Sequence, residues 1–218
     1  LLIIFYLTLV VIILVMERLI KLNLGSGPSG IEGWINYDWG LLPILGKYPM
    51  IRSLMINTGL LSKDYDLRWP KIKLLDIKKR LPLRDNSVDF IYCSHVLEHF
   101  EKWEAEKILK ECRRVLKKGG ILRIVLPDLG KLVRNYESAD EFCREFFGFD
   151  KDKFWGIKKY FVRGHQWMYD GNSFKKLLGE TGFKKILDKD WRKGECPDLD
   201  RLDLELHKDL SLYLEIEK

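Results

Sequence analysis

The first residues that could do chemistry are the glycines of the run GSGPSG at 25–30, which directly follows a short apolar stretch. Glycine has no Cβ, so a ligand can approach the backbone closely there. Asp38 follows the next apolar run, where its carboxylate could accept hydrogen bonds from the two hydroxyls of a ribose. Asp76 and Ile77 end a third run, where a carboxylate and a backbone amide could hold the edge of an adenine. Together these sites predict a cofactor that contains adenosine.

The same glycine run also fits the G-x-G-x-x-G pattern of dinucleotide-binding proteins. That pattern requires a helix that begins at the glycines and an acidic residue about 20 residues further on. Here Pro28, Gly30 and Gly33 oppose a helix, and Asp38 comes only eight residues after Gly30. We therefore do not expect a nicotinamide dinucleotide.

Other polar residues have simpler explanations. Asp128 follows a proline and is as consistent with a helix N-cap as with contact to a substrate. The aromatic segment 167–169 lines either a substrate pocket or the core. His207 has no evident partner, so we expect this histidine to be structural or exposed. The last loop lacks the glycine turn of a calcium site, so solvated side chains are expected for Asp198, Asp200, Asp203 and Glu205.

Strands that alternate with helices must position these residues. Apolar runs bounded by turn residues predict strands at 19–25, 34–39, 71–76, 88–93, 121–126, 183–188 and 211–217. Helical spacing of apolar residues predicts helices at 103–118, 129–147 and 173–181, with a further helical stretch near 50–55. Gly119 would then occupy the position just past the end of the first of these helices. The alternation indicates an α/β fold with a mainly parallel sheet covered on both faces, in which ligands bind at the carboxyl ends of the strands.

Length and composition fit one α/β domain. The chain has 218 residues, of which 46% are hydrophobic and 32% charged, and this excludes intrinsic disorder. The net charge is +6, but the basic residues are interleaved with acidic ones, which indicates solvated faces rather than a nucleic-acid-binding patch. The four cysteines lie far apart without a C-x-x-C pair, so we expect a reducing compartment and neither disulfides nor a zinc cluster.

Residues 1–16 form an uncharged apolar segment. As a helix it would be about 24 Å long, shorter than the ~30 Å hydrocarbon core of a membrane. No basic run precedes it and no small-residue cleavage site follows, which disfavours a signal peptide. Three interpretations stay open: a start over-extended upstream of Met16, a membrane anchor, or a buried helix or strand. The domain itself is expected to cover 17–218.

Three stretches together resemble a known family. They are LNLGSGPSGIEGWINYDW at 22–39, LLDIKKRLPLRDNSVDFIYCSHVLEHF at 74–100 and RVLKKGGILRIVLPDL at 114–129. These stretches resemble class I S-adenosylmethionine-dependent methyltransferases, in particular the type 11 subgroup, and the similarity extends over about residues 19–218. The resemblance implies a Rossmann-like, mainly parallel seven-stranded sheet with helices on both faces and an antiparallel last strand. It also implies S-adenosylmethionine as the cofactor.

The resemblance assigns parts of the cofactor to individual residues. Gly25, Ser26 and Gly27 would face the methionyl part, and Asp38 the ribose. The full cofactor-binding set that it implies is Asn23, Leu24, Gly25, Ser26, Gly27, Asp38, Asp76, Ile77, Cys93, Ser94 and His95. Asn23 stands where many relatives carry an acid. The stretch from Gly27 to Trp34 is also too short for the usual first crossover helix, which normally needs about a dozen residues.

The pattern His95-x-x-Glu98-His99 has two interpretations within this resemblance. In many methyltransferases a similar stretch caps the fourth strand and orients the next loop, and we favour that role, with no metal. Small-RNA 2′-O-methyltransferases and some quinone-biosynthesis O-methyltransferases resemble the same stretch and bind a metal there. The alternative is therefore a metal site made of His95, Glu98, His99 and His165, although His95 replaces the first acid of that pattern.

The predicted activity is transfer of a methyl group to a small-molecule or glycan acceptor, through oxygen. A general base is needed only if an alcohol or phenol must lose its proton, and His99 and His165 are the candidate catalytic residues. The alternatives are a methyltransferase-like module that binds without turnover, and an RNA methyltransferase. We expect a cytoplasmic protein that contacts a membrane only through residues 1–16, and we do not expect a nucleic-acid partner.

Overall fold

The computed structural model describes residues 19–61, 63, 66, 69–148 and 164–218. Within these ranges, one seven-stranded sheet has the strand order β3-β2-β1-β4-β5-β7-β6. The strands are β1 (Lys21–Leu24), β2 (Ile35–Asp38), β3 (Lys73–Leu74), β4 (Val88–Ser94), β5 (Leu116–Pro127), β6 (Lys185–Lys189) and β7 (Ser211–Glu217). β7 pairs antiparallel with both β5 and β6, whereas the other neighbours pair parallel. The expected mainly parallel sheet with an antiparallel last strand is confirmed.

Helices connect the strands. The helices are α1 (Leu41–Gly46), α2 (Pro49–Asn57), α3 (Lys102–Val115), α4 (Leu129–Arg134), α5 (Ala139–Phe147), α6 (Gly171–Glu180) and α7 (Leu199–Leu202). Among the described residues, 3-10 turns lie at Gly27–Ser29, Leu97–His99 and Glu205–His207. The first of these turns stands between β1 and β2, so the expectation that this crossover is too short for a helix is confirmed.

Two apolar layers cover the sheet, because successive strand residues point to opposite faces. Ile91 and Cys93 belong to the larger core, which α3 and α6 complete through residues such as Leu109 and Phe174. Tyr92, between them, belongs to the second core on the other face. Segments 31–34 and 196–202, including α7, close that second core, so this face is covered mostly by loops.

The helix expected at 103–118 ends earlier, at Val115. Leu116 is extended and pairs with Val88, and the register then jumps so that Phe90 pairs with Ile121. The residues between form a bulge in β5, in which Gly119 has φ +75° and donates its amide to the carbonyl oxygen of Lys218. The glycine signal was therefore real, but it marks a kink in a strand rather than the end of the helix.

The helix expected at 129–147 is two helices, α4 and α5. Asn135 ends α4, and Ser138 begins α5 as its N-cap, accepting a hydrogen bond from the amide of Glu141 (3.2 Å). Asp128 is the N-cap of α4 and accepts from the amide of Gly130 (2.9 Å). A serine at an N-cap satisfies an amide that has no partner within its helix, which explains why the chain restarts a helix here.

The prediction of solvated acids in the last loop was wrong for Asp203, whereas Asp198 is partly exposed but ion-paired. Asp203 is 1% exposed and accepts a hydrogen bond from the guanidinium of Arg123 (2.6 Å), a side chain in β5 that is fully buried. Asp203 also accepts from the hydroxyl of Tyr92 (3.1 Å). Asp198 accepts from the ammonium of Lys21 (2.7 Å) and from the indole of Trp34 (2.8 Å). These two acids fasten the loop before β7 to the sheet.

Residues 1–16 lie outside the described residues, so the interpretations of that segment stay predictions. In the part of the chain that the structure describes, no helix has both the length and the apolar character that a membrane crossing requires.

We expect the substitution Asp203→Asn to lower the free energy of unfolding by about 3 kcal/mol, because it removes the nearer of the two carboxylates beside the buried guanidinium of Arg123 and leaves only Glu215, at 3.9 Å. Urea unfolding followed by circular dichroism measures the change. The matched control is Asp188→Asn, which removes an ion pair with Lys175 in which the Asp188 side chain is 66% exposed. Equal destabilisation by both substitutions would contradict the anchoring role of Asp203.

Candidate active site

The turn after β1 is fastened to the end of β2. The amides of Gly25 and Ser26 both donate to the carbonyl oxygen of Tyr37, at 2.9 and 3.1 Å. Gly25 has φ +67°, and a Cβ added there would lie 2.3 Å from Cγ2 of Val96. Gly27 has φ +52°, but no described atom lies within 4 Å of the place where its Cβ would stand. Gly25 is therefore required by packing, whereas Gly27 faces open space that a ligand can enter.

Asp38 completes this turn from the end of β2. One carboxylate oxygen accepts from the amide of Gly27 and the other from the amide of Trp39, both at 2.6 Å. Burial raises the pKa of Asp38, and the two amide hydrogen bonds oppose that rise without cancelling it. A carboxylate has about four acceptor positions, so two remain for the hydroxyls of a ligand.

A cavity of about 160 Å³ lies beside this turn. This is below the ~300 Å³ of a typical small-molecule site, so it can receive only part of a ligand. Five members of the predicted cofactor set line the cavity: Asn23, Gly25, Ser26, Gly27 and Ser94. The other lining residues were not predicted from the sequence; they are Pro28, Ser29, Tyr92, Leu202, Leu204 and His207.

Asn23, where many relatives have an acid, is buried and joins the two strands beneath the turn. Its side-chain amide donates to the side-chain oxygen of Asn36 (3.3 Å), and Asn36 donates in turn to the carbonyl oxygen of Ile31 (3.0 Å). The pair therefore holds the loop between β1 and β2 against the sheet. An uncharged amide suits this position because it can donate and accept at once.

The rest of the predicted cofactor set does not line the cavity. The side chains of Leu24, Ile77 and Cys93 are buried in the larger core, where burial raises the pKa of the Cys93 thiol. Asp76 is half-buried in the turn after β3, where its side chain accepts from the amide of Lys78 (3.0 Å). Contact of these residues with a cofactor stays a prediction.

All four histidines of the chain meet beyond the end of β4. His95 has φ +51°, and its ring stacks on that of His207 with centroids 3.6 Å apart. Its Nε2 is 3.0 Å from the hydroxyl of Ser211, and its Nδ1 is 3.2 Å from a carboxylate oxygen of Glu98. The expectation that His207 has no partner was wrong. Burial and the adjacent His95 lower the pKa of His207 to about 4, so its ring is neutral near pH 7.

Glu98, His99 and His165 form the inner part of this cluster. One ligating atom from each lies within 4.8 Å of the others, and the rings of His99 and His165 are 5.1 Å apart. The backbone brings them together, since the carbonyl oxygen of Glu98 accepts from the amides of Gln166 (2.7 Å) and Trp167 (3.2 Å). Of the sequence-based metal alternative, the structure thus groups Glu98, His99 and His165 and leaves His95 outside.

The protonation of this inner group follows from its burial. Burial raises the pKa of Glu98, but the adjacent His95 and His99 outweigh it, so the pKa of this carboxyl lies below its usual value. Burial lowers the pKa of His165, which favours a neutral ring. The Nδ1 of His165 is 3.0 Å from the carbonyl oxygen of Phe146. Because a carbonyl oxygen can only accept, Nδ1 carries the proton and Nε2 has a free lone pair.

The aromatic segment 167–169 divides between surface and core. Trp167 is 44% exposed, whereas Met168 and Tyr169 are buried. The ring of Tyr169 packs edge-on against Phe174 at 5.0 Å, so this residue belongs to the core beneath the histidine cluster.

Known proteins share parts of this chain. Residues 57–124, which contain β3, β4, α3 and most of β5, match the family described as "Methyltransferase domain", type 11. The match covers less than one third of the chain, so it shows similarity to that family over this segment. The name of one relative gives S-adenosylmethionine as the cofactor of that relative.

Two curated relatives show how far the similarity of this chain to known proteins extends. A Mycobacterium tuberculosis protein named "Probable S-adenosylmethionine-dependent methyltransferase" is 34% identical over 62 residues, which are 28% of this chain and 22% of the relative. An uncharacterized protein of Methanocaldococcus jannaschii is 28% identical over 127 residues, 52% of each chain. The chain therefore matches about one fifth of the length of the first relative and about half of the second.

Solved structures share the fold. A methyltransferase from Archaeoglobus fulgidus gives a TM-score of 0.51 at 16% identity and covers 97% of this chain and 91% of its own. A Thermotoga maritima protein described as "possible histamine N-methyltransferase" gives 0.50 at 16% identity, over 95% and 86%. At these identities the likeness concerns the arrangement of the sheet and helices.

Alanine substitutions at the two glycines of the turn should differ in cost. Both place an alanine at positive φ, which costs about 1–2 kcal/mol. Gly25→Ala also places a methyl group against Val96, so we expect this variant to lower the free energy of unfolding further. Gly27→Ala should lower it only by the cost of the positive φ. Urea unfolding of the two variants measures this difference, and equal losses would contradict the close packing at Gly25.

Proposed function

We propose that this chain transfers the methyl group of S-adenosylmethionine to an oxygen atom of a small hydroxyl compound or glycan. The observation that carries the proposal is one cavity lined both by the glycine turn of β1 and by His207 of the histidine cluster. This supports the proposal because the glycine turn adjoins one member of the histidine cluster, to which the candidate bases His99 and His165 also belong.

The residues present fit the cofactor. The open space at Gly27 and the two unused acceptor positions of Asp38 suit the methionyl part and the ribose, which adjoin each other in the molecule. Asn23 and Ser94 supply further polar groups in the cavity wall. When bound, S-adenosylmethionine supplies an electrophilic methyl group on a sulfonium.

The histidines supply the remaining requirement, which is a place for the acceptor's proton. In the transfer, the acceptor oxygen forms a bond to the methyl carbon, the carbon–sulfur bond breaks, and the sulfur keeps that electron pair. The hydroxyl proton goes to a neutral imidazole, and His165 suits this role because its Nε2 lone pair is free while Nδ1 is held by Phe146. His99 is the second candidate, since its ring lies 5.1 Å from that of His165.

Oxygen is the preferred acceptor atom because a neutral, positioned base is most useful where a weakly acidic hydroxyl must be activated. The choice of a small molecule or glycan rests on the resemblance to the type 11 subgroup. RNA is the less favoured acceptor, since the excess of six positive charges is interleaved with acidic residues.

The test is transfer of tritiated methyl groups from S-adenosylmethionine to a panel of sugars, phenols and aliphatic alcohols. We expect product with at least one hydroxyl acceptor, and a fall in turnover of about 10²-fold or more in His165→Gln, because a general base contributes 10²–10⁴-fold. The same variant should bind S-adenosylhomocysteine within threefold of the unmodified chain.

Two outcomes would contradict the proposal. Unchanged turnover in His165→Gln would remove the base from the mechanism and shift the acceptor away from a hydroxyl. Tight binding of S-adenosylhomocysteine without transfer to any acceptor, RNA included, would favour a module that binds without turnover.

A further inference from the structure

We propose that the segment between β2 and β3 carries a surface that lies on an anionic lipid bilayer. The surface is formed by the outer face of α2 and by two aromatic residues that precede the helix. Its members are Trp39, Tyr48, Met50, Ile51 and Leu54, all of them exposed, and we call this set the α2 surface. It is separate from the apolar segment 1–16, which lies outside the described residues.

The outer face of α2 is apolar. A helix on the surface of a protein normally packs its apolar side chains against the core and turns polar ones to the solvent. α2, which the structure describes completely, has no buried residue, and Met50 and Leu54 are 86% and 63% exposed. Ile51 is also exposed, and the spacing of these three residues places them on one side of the helix. A contiguous exposed apolar surface of this kind marks a place of contact with another body.

The charged residue of α2 lies on the inner side of the helix. The side chain of Arg52 is only 12% exposed, and its guanidinium pairs with the carboxylate of Asp66 at 3.3 Å. The usual arrangement is therefore reversed, with the arginine against the protein and the large apolar side chains in the solvent. This orientation explains why the apolar face of α2 is available to a partner.

Buried residues on both sides hold α2 in this orientation. Leu45 of α1 is buried before it and Leu61 after it, and the amide of Leu61 donates to the carbonyl oxygen of Met55 (3.0 Å). The end of α1 also packs closely, since a Cβ added at Gly46 would lie 2.5 Å from the ring of Trp69. The segment thus contributes apolar residues to the protein at both ends and presents others outward between them.

The charges around the α2 surface indicate the class of partner. From Trp39 to Lys63 the sequence contains Lys47, Arg52 and Lys63 but no Asp or Glu, and the two lysines are exposed. Helices that lie in the interface of a bilayer combine an apolar face with basic residues, which anionic headgroups attract. Trp39 and Tyr48 fit the same place, because their rings have an apolar body and a polar group suited to the headgroup level.

Two other occupants complement these charges less well. In a two-fold dimer the same surface faces itself, so Lys47 and Lys63 of both copies would enter one interface. Like charges that meet across an interface are unfavourable. Residues 1–16 could cover the apolar face, but they carry no charge to complement the lysines. An anionic bilayer complements both the apolar residues and the basic ones.

The α2 surface adjoins the predicted cofactor site. Trp39 directly follows Asp38, whose carboxylate accepts from the amides of Trp39 and Gly27. A bilayer in contact with Trp39 would therefore lie beside the glycine turn, where a hydroxyl acceptor carried on a lipid chain could be presented. This consequence rests on the proposed function, whereas docking on the bilayer does not.

The test measures binding of the full chain to vesicles by co-sedimentation. The vesicles contain either phosphatidylcholine alone or phosphatidylcholine mixed with anionic phosphatidylglycerol. We expect stronger binding to the anionic vesicles, and a decrease with added salt because ions screen the attraction. Leu54→Glu and Met50→Glu should each weaken this binding by about tenfold or more, since each places a carboxylate where an apolar side chain enters the lipid.

The matched control is Leu187→Glu, which makes the same change of charge. Leu187 is 42% exposed and belongs to β6, at the opposite edge of the sheet from β3. This variant should bind the anionic vesicles within about threefold of the unmodified chain. Because residues 1–16 are present in every variant, any contribution of theirs is the same throughout the comparison.

Hydrogen exchange locates the contact directly. Anionic vesicles should slow the exchange of the amides of α2 in the unmodified chain and leave those of β6 unchanged. Analytical ultracentrifugation without vesicles tests for a second copy as the partner, and we expect Leu54→Glu and the unmodified chain to have the same mass.

Four results would overturn the proposal. They are no binding of the unmodified chain to anionic vesicles, equal binding by Leu54→Glu and Leu187→Glu, unchanged exchange in α2, and a dimer that Leu54→Glu dissociates. None of these experiments contains S-adenosylmethionine, so failure of docking and failure of methyl transfer are separate results.

Discussion

The structure depends on the hydrogen bonds that hold the turn after β1 to the end of β2. Tyr37 accepts two amides of the turn through its carbonyl oxygen, and Asp38 accepts the amide of Gly27 through its side chain. A longer crossover helix would normally fix such a turn by packing. Here the connection contains only a 3-10 turn, so the end of β2 fixes the backbone instead. The same carboxylate thus shapes the turn and keeps acceptor positions for a ligand.

A second constraint acts on the opposite side of the cavity, where the last loop supplies Leu202, Leu204 and His207. The ion pair of Asp198 with Lys21 holds this loop to β1. The ion pair of Asp203 with Arg123 holds it to β5. The hydroxyl of Tyr213 also donates to the carbonyl oxygen of His207 (2.8 Å). Two loops that line the cavity are therefore each held to a strand by polar contacts.

Much of the fold could be predicted from the sequence because it is encoded locally. Apolar runs that end in glycine or aspartate gave the strands and placed Gly25, Gly27 and Asp38 at one edge. Local signals were also misinterpreted where two meanings compete. Gly119 lies within a bulge of β5 rather than past the end of a helix, and the role of Ser138 as an N-cap is visible only once α4 has ended.

The part of the site that sequence reasoning missed depends on contacts between distant residues. Asp203 pairs with Arg123 across 80 positions of the chain, and His207 stacks on His95 across 112. No spacing rule links such residues, so an acid in a loop was taken to be solvated and a histidine to be isolated. One signal was available: an arginine inside the continuous apolar run at 121–126 must be buried and therefore needs an acidic partner.

The proposed activity requires that the strand ends around Asp38 bind the adenosine cofactor. This binding can be measured by titration calorimetry with S-adenosylhomocysteine, on the unmodified chain and on Asp38→Ala, Asp76→Ala and the distant control Asp188→Ala. We expect micromolar binding that Asp38→Ala and Asp76→Ala each weaken tenfold or more, about 1.4 kcal/mol, while the control changes it less than threefold. A folded chain that does not bind S-adenosylhomocysteine, or binding that neither substitution weakens, would contradict it.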